Sequence, residues 1–146
     1  MTAIDIIEIE DSEDQQQAFA IRHEVFCVEQ KVDQDEEFDG LDGECRQYLA
    51  RLDGAVVGTA RIRKAGDDEI KIERVAVRAA DRGKGIGWAL MKRTIEDART
   101  GGAATIAIHA QCHAEDFYAA LGFRRIGGIF DEANIPHVRM ELDQPS

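Results

Sequence analysis

The chain is short of several residue types, and each shortage closes off a class of protein. Its three cysteines, Cys27, Cys45 and Cys112, are odd in number and lack C-x-x-C spacing, which speaks against a disulfide framework and against a structural zinc site. The two prolines, Pro136 and Pro145, both lie near the C-terminus, and no repeat or low-complexity tract interrupts the rest, so no linker is expected and residues 1–146 read as one domain. No apolar run is long enough to span a bilayer. The N-terminus alternates acidic and apolar residues where a leader would carry basic ones followed by an apolar stretch, so a cytoplasmic protein with reduced thiols is the expectation. Positive charge is also scarce: 18 Lys and Arg against 29 Asp and Glu leave a net charge of −11, which makes nucleic acid a poor partner. At 44% apolar residues a chain of this length can bury a substantial core.

What the chain does have is concentrated between residues 70 and 90. Ile70-Lys71-Ile72-Glu73-Arg74-Val75-Ala76-Val77 is rich in β-branched residues and predicts a half-buried strand. Taken as regular, that strand places Glu73, Val75 and Val77 on one face. The glycines of the following Arg82-Gly83-Lys84-Gly85-Ile86-Gly87 let the backbone approach a ligand closely and turn its N–H groups toward an anion. Trp88, Leu90, Met91, Ile95 and Ala98 continue at helical spacing, so the loop opens a helix whose free N–H groups and dipole favour phosphate. Arg82 and Lys84 add mobile positive charge to that end. The run is not a P-loop, because Gly85 rather than Ser or Thr follows Lys84. Nor does it fit a dinucleotide fingerprint, which needs glycine at Trp88 or at Leu90.

Elsewhere, Ile4, Ile6, Ile7 and Ile9 suggest a first strand, and Ser12 with Gln15 reads as a capping box for a helix to about Phe26. On that helix Phe19, Arg22 and Phe26 approach one face. Between Glu29 and Glu44, Asp33, Asp35, Glu36, Glu37, Asp39 and Asp42 have only Lys31 as a counter-charge, either as a solvated loop or as a surface that attracts a cationic amine. Residues 46–52 and 55–63 read as strands joined at Asp53-Gly54, a strong hairpin signal, and a turn at 65–68 leads into the strand at 70–77. Four consecutive strands are thus expected to pair as an antiparallel meander. A strand at 105–110, a short helix at 115–123 ending in a glycine cap, and closing strands near 124–130 and 138–142 complete a mixed α/β domain.

Two strings in this order carry a resemblance. Arg82-Gly83-Lys84-Gly85-Ile86-Gly87 behind a Val-Ala-Val strand, and Phe117-Tyr118-Ala119-Ala120-Leu121-Gly122-Phe123 about 30 residues further on, resemble the coenzyme A and C-terminal signatures of the GNAT acetyltransferases. The stretch Arg22-His23-Glu24-Val25-Phe26-Cys27-Val28-Glu29-Gln30, together with Gly127-Gly128-Ile129-Phe130-Asp131-Glu132 and Ile135-Pro136-His137, is similar to the small ElaA-like branch of that family. The resemblance implies an α/β (α+β) acyl-CoA N-acyltransferase fold: a mostly antiparallel sheet of six to seven strands, helices on both faces, and a splayed parallel pair formed by the strands of Val75 and Ile106.

It further implies acetyl-CoA as cosubstrate, no metal, and direct transfer of an acetyl group to a primary amine in a ternary complex. In this likeness the backbone at Val75, Ala76 and Val77 binds pantetheine and the acyl carbonyl, while Arg82, Gly83, Lys84, Gly85, Ile86, Gly87 and Trp88 hold the pyrophosphate. Tyr118 stands where the family keeps the general acid for the leaving thiolate, since a phenol holds its proton at neutral pH. Glu73 is the expected base, directly or through water, and its alternative is an ion pair with Lys71 or Arg74. Arg22, Glu29 and His137 are candidate acceptor contacts. His109 and His113 lack a third ligand, and Cys112 lacks an activating histidine in sequence, so neither a metal nor an acyl-cysteine route is expected. The reading from another class is a non-catalytic acyl-CoA-binding or sensing protein, and a homodimer is possible in either case.

Overall fold

A computed structural model describes residues 3–142. Strand β1 (Ile4–Glu8) leads to helix α1 (Ser12–Arg22), whose N-terminus is capped by Asp11 accepting from the Asp14 N–H at 2.8 Å. The cap thus lies one residue before the expected capping box, because Asp11 itself supplies the side-chain acceptor that Ser12 was expected to give. The helix does not stop at Arg22 but widens into a π-helical segment, His23–Glu29. After the short α2 (Gln34–Glu37) and a turn at Asp42–Glu44 come strands β2 (Arg46–Leu52), β3 (Ala55–Lys64) and β4 (Glu69–Val77). Asp53 (φ 51°) and Gly54 (φ 90°) turn β2 into β3 with two left-handed residues, as a tight hairpin of this twist requires.

Helix α3 (Ile86–Thr100), strand β5 (Thr105–Gln111), helix α4 (Glu115–Ala120) and strands β6 (Phe123–Glu132) and β7 (Ile135–Leu142) complete the described chain. The two closing strands are longer than their apolar spacing suggested, because Ala133 (φ 52°) and Asn134 (φ 62°) form a two-residue turn that lets pairing run to Glu132 and Ile135.

One seven-stranded sheet results, in the order β1-β2-β3-β4-β5-β7-β6. The pairs are antiparallel except β4 with β5, which run parallel from Glu69 opposite Thr105 to Ile72 opposite Ile108 and then part. Helix α3 covers one face with Ile86, Leu90, Met91, Ile95 and Ala98, all buried against Ile62, Ile72, Ile106, Ile108, Val138 and Met140. Burying a side chain of this size is worth about 1.5–3 kcal/mol, so this layer is the main source of stability. The other face is polar along β4, β5 and β7, and α1 with the π-helical segment covers its β2–β4 side, where Ile21 and Val25 meet Ala76.

A bulge in β4 positions everything that follows. Arg61 pairs with Glu73 but Thr59 pairs with Ala76, so β4 has one residue more than β3 over this stretch, and Arg74 takes a left-handed conformation (φ 58°) to absorb it. The alternation of faces therefore changes phase. Ile70 and Ile72 point toward α3, but so do Val75 and Val77, while Glu73 and Ala76 belong to the opposite face. The expected sharing of one face by Glu73, Val75 and Val77 is thus corrected: the carboxylate and the two valines lie on opposite sides of the sheet.

Candidate active site

The parting of β4 and β5 opens a cavity of about 920 Å³ that runs from the start of α3, along β4, to α4 and the β6–β7 turn. Pairing with β5 ends at Ile72, so the stretch Glu73–Val77 has β3 on one edge and open space on the other. On that free edge the Val77 carbonyl already accepts from Arg82 Nε, and the Val75 backbone groups and the Val77 N–H are left for whatever fills the cavity, since unpaired buried amides and carbonyls are costly. Val75, Ala76, Val77, Arg82, Gly83, Gly85, Ile86, Gly87 and Trp88 all line it, whereas Lys84 does not.

At the near end Gly85 caps α3 in a left-handed conformation (φ 86°) and, having no side chain, gives no hydrogen bond to the first turn. The N–H groups that open a helix have no partner within it, so this end of the cavity presents amides and a positive dipole end to an anion. The cations are arranged differently from the expectation of mobile charge. Arg82 grips Glu29 through both guanidinium nitrogens at 2.6 and 2.9 Å and donates from Nε to the Val77 carbonyl, and Lys84 reaches Asp81 at 3.1 Å. Glu29 is therefore no free acceptor contact but a partner of the coenzyme-side loop, with Arg82 holding its carboxyl below the ordinary value.

At the middle of the cavity, Tyr118 projects from α4 in a row of edge-to-face rings that runs Trp88, Phe117, Tyr118, Phe123 with centroids 5.0–6.2 Å apart. Its hydroxyl has no hydrogen-bond partner among the described residues, and burial alone pushes its pKa up to about 12. It is a phenol that keeps its proton at any physiological pH.

Glu73 lines the cavity too, but not as a free base. Burial pushes its carboxyl up, yet Arg63 at 3.0 Å, Arg61 at 3.0 Å and Lys71 at 3.3 Å outweigh that and hold it at about 2. A carboxylate with so little proton affinity is a poor acceptor near neutral pH, so the expectation of Glu73 as base is corrected toward its ion-paired alternative, with Arg61 and Arg63 joining Lys71 in place of Arg74. Arg22 is likewise displaced from the acceptor role. Its side chain is 1% exposed, bonds Glu37 at 2.8 Å and Asp42 at 2.6 Å, and lies between the rings of Phe19 and Phe38, outside the cavity lining.

The acidic segment at 29–44 proves neither solvated nor attractive as a whole. Glu37 pairs with Arg22 and Arg74, Asp39 with Arg61 and Arg74, Asp42 with Arg22 and Arg61, and Asp33 caps α2. Glu37, Asp39 and Asp42 are thus neutralised, whereas Asp33, Asp35, Glu36 and Glu44 stay exposed.

Three residues complete that far side: His109, Glu132 and His137. The Nδ1–H of His109 donates to Glu132 at 3.0 Å, and His137 Nε2 stands 3.7 Å from the other oxygen of the same carboxylate. His137, expected as a candidate acceptor contact, lines the cavity. His109 was weighed only with His113 as a metal ligand, but the structure turns His113 to Gln111. Glu132 had no role in the reading, although its place two residues beyond Phe130 and five before His137 in a hairpin was a usable signal.

The comparisons agree with this geometry. A model of the acetyltransferase (GNAT) domain matches residues 9–144. The chain belongs to the GNAT acetyltransferase family. Within it, the protein ElaA of Escherichia coli is 36% identical over 124 residues, 82% of this chain and 81% of ElaA, which supports the ElaA-like branch. The crystal structure of E. coli ElaA superposes with a TM-score of 0.84 at 29% identity, covering 98% of this chain and all (100%) of that one. An acyl-CoA N-acyltransferase from Pseudomonas aeruginosa gives a TM-score of 0.83 at 27% identity, with 98% and 100% covered. A Bacillus subtilis acetyltransferase solved in complex with CoA shares the GNAT fold at 22% identity and a TM-score of 0.75, with 98% and 100% covered. The mixed seven-stranded sheet with its splayed parallel pair is thus the GNAT acyl-CoA N-acyltransferase fold, and acyl transfer is the family's chemistry.

Proposed function

We propose that this GNAT protein moves an acetyl group from acetyl-CoA to a primary amine by direct attack within a ternary complex. The observation that carries the reading is one continuous cavity, which joins the uncapped start of α3, the free edge of β4 and the unpartnered Tyr118 hydroxyl. A thioester with a diphosphate at one end and a carbonyl at the other has matching needs at both ends. The N–H groups at the start of α3 would take the pyrophosphate and the β4 edge at Val75–Val77 the pantetheine and the acyl carbonyl. The complex of the B. subtilis relative with CoA supports the choice of coenzyme.

Direct transfer needs a free amine lone pair, polarisation of the carbonyl and a proton for the thiolate. Backbone N–H groups on β4 supply the second, and Tyr118 supplies the third: a phenol near 12 is fully protonated at neutral pH, and because it is a weaker acid than a thiol its transfer to the thiolate is completed by return of an amine proton to the phenolate. Glu73 acts here by holding Arg61, Arg63 and Lys71 in place beneath the acceptor.

Thermal denaturation with acetyl-CoA, coenzyme A, ATP and NAD tests the coenzyme, since a ligand of the folded state raises its apparent stability. Stabilisation by the first two alone is expected, and stabilisation by ATP or NAD, or by none, overturns the reading. Tyr118→Phe is expected to lower turnover roughly 100-fold, at the lower end of what proton transfer contributes. Coenzyme affinity should stay within about twofold, whereas a protein that only binds acyl-CoA shows no turnover to lose.

A further inference from the structure

Charge around the cavity is unevenly satisfied. Each Lys and Arg of its lining already faces a protein carboxylate: Lys71 meets Glu73, Arg74 meets Glu37 and Asp39, and Arg82 meets Glu29. The Glu132 carboxylate is different, because the groups in contact with it are two imidazoles. The His109 Nδ1–H bond accounts for one oxygen and holds the Glu132 carboxyl below its ordinary value.

The other oxygen faces His137, whose side chain is 8% exposed. The Nδ1–H of that ring is committed to the Ile135 carbonyl at 2.6 Å, so a neutral His137 turns the Nε2 lone pair toward the second Glu132 oxygen across 3.7 Å. Two acceptors then face each other with no hydrogen between them, one on a buried ring and the other on a carboxylate that is 43% exposed and open to the cavity. What the pair lacks is a proton, or a group that carries several.

We propose that His109, Glu132 and His137 form the ammonium subsite for the acceptor, that His137 Nε2 takes its proton, and that the acceptor is a primary amine with no carboxylate or phosphate of its own. The proposal rests on the acyl-transfer reading above and deepens it. An alkylammonium brings three N–H donors to a carboxylate oxygen and a lone pair that are otherwise unmatched. A second anionic group on the acceptor finds no unpaired Lys or Arg in the lining, and it meets Glu36, which has no ion pair among the described residues. Phe26, Val32 and Ile135 offer an apolar wall to the rest of the molecule.

The protons balance. One N–H bond of the ammonium breaks and a new one forms at His137 Nε2, giving an imidazolium beside Glu132 and a free lone pair on the amine. That lone pair forms the C–N bond at the thioester carbonyl, and collapse of the adduct breaks the C–S bond. Tyr118 protonates the thiolate, the second amine proton returns to the phenolate, and His137 releases the first to solvent. The charged or titratable groups that face this subsite are Lys71 from β4, His109 from β5 and Glu132 from β6. An imidazole fits the step because it is the side chain that exchanges a proton near neutral pH.

The test pairs amines with the amino acids that differ from them only by a carboxylate: phenethylamine with phenylalanine, and n-pentylamine with norleucine. Thiol release from acetyl-CoA is expected to show kcat/KM at least tenfold higher for the amines. Glu132→Gln should lower kcat/KM for phenethylamine at least tenfold with acetyl-CoA affinity by calorimetry within twofold. It should also abolish calorimetric binding of n-pentylammonium to the CoA-loaded protein. His137→Asn should move the rise of kcat/KM with pH from near neutrality toward the amine's own pKa, a shift that a merely structural role does not produce. Equal or better use of the amino acids, no use of either amine, or variants with the wild-type pH profile overturns the proposal. Failure of the wild-type protein to bind acetyl-CoA at all would instead sink the acyl-transfer reading beneath it.

Discussion

The two ends of the cavity are built on different principles. The end proposed for the coenzyme comes from one continuous stretch, β4 through the glycine loop into α3, and it offers backbone N–H and C=O groups. The end proposed for the acceptor draws on α1, α2, β3, β4, β5, β6 and β7, and its groups are side chains held by one another's charges. Backbone recognition tolerates sequence change as long as the geometry persists, whereas a mesh of buried ions depends on every member. The difference suggests why a shared coenzyme site can serve many acceptors: the variable half is the half made of side chains.

The largest test of that contrast is Arg61→Ala. Arg61 is 1% exposed and bonds Asp39, Asp42 and Glu73 at 2.7–3.2 Å. Removing one partner of a buried ionic mesh strands the others, at a cost of about 3–5 kcal/mol, to be read as a fall in the urea midpoint. A loss below about 1 kcal/mol would show that the acceptor end is held by packing, and the comparison would fail.

The sequence disclosed the two ends unequally for the same reason. Local chemistry is written locally: Asp53-Gly54 turned the hairpin, Gly83 and Gly85 opened α3, and Tyr118 fell where its string implied. The ion mesh joins positions 22, 37, 39, 42, 61 and 73, and nothing at any one of them names its partners. Arg22 was accordingly expected to contact the acceptor and Glu73 to act as base, when the charges of both are spent on the protein. The β4 bulge was in principle visible, because apolar residues fall at 70 and 72 and then at 75 and 77, a break in phase at Arg74. Glu132 and His109 meet only because β7 inserts between β5 and β6, which periodicity alone does not reveal.

Acid titration probes the mesh without mutation. Glu73 sits at about 2 in the folded protein against an ordinary value of 4.5, so it stabilises the fold above the ordinary value, and that stability is lost as pH falls through the folded one. The contribution is about 3 kcal/mol, an order-of-magnitude figure from the linkage of pKa to stability. Urea unfolding measured between pH 5 and pH 2 is expected to show a decline that Glu73→Gln reduces. An unchanged slope in that variant would move the acid sensitivity elsewhere in the mesh.

Two ion pairs, Arg78 with Glu24 and Arg82 with Glu29, tie the stretch from β4 to α3 to the π-helical segment, and the second gives the smallest effect and the sharpest reading. Both side chains are substantially exposed, so the pair itself adds no more than about 1 kcal/mol to stability despite its two short hydrogen bonds. Glu29 occupies the guanidinium that stands beside the start of α3, where a phosphate oxygen would compete for it. Glu29→Gln is therefore expected to leave the thermal midpoint almost unchanged while tightening coenzyme A binding up to roughly fivefold, the factor that 1 kcal/mol represents. Because the competition is between exposed charges, the gain should shrink when calorimetry is repeated at high salt. Weaker binding in the variant would mean that Glu29 positions Arg82 for the phosphate instead of occupying it, and the acidic side would then be part of the coenzyme site.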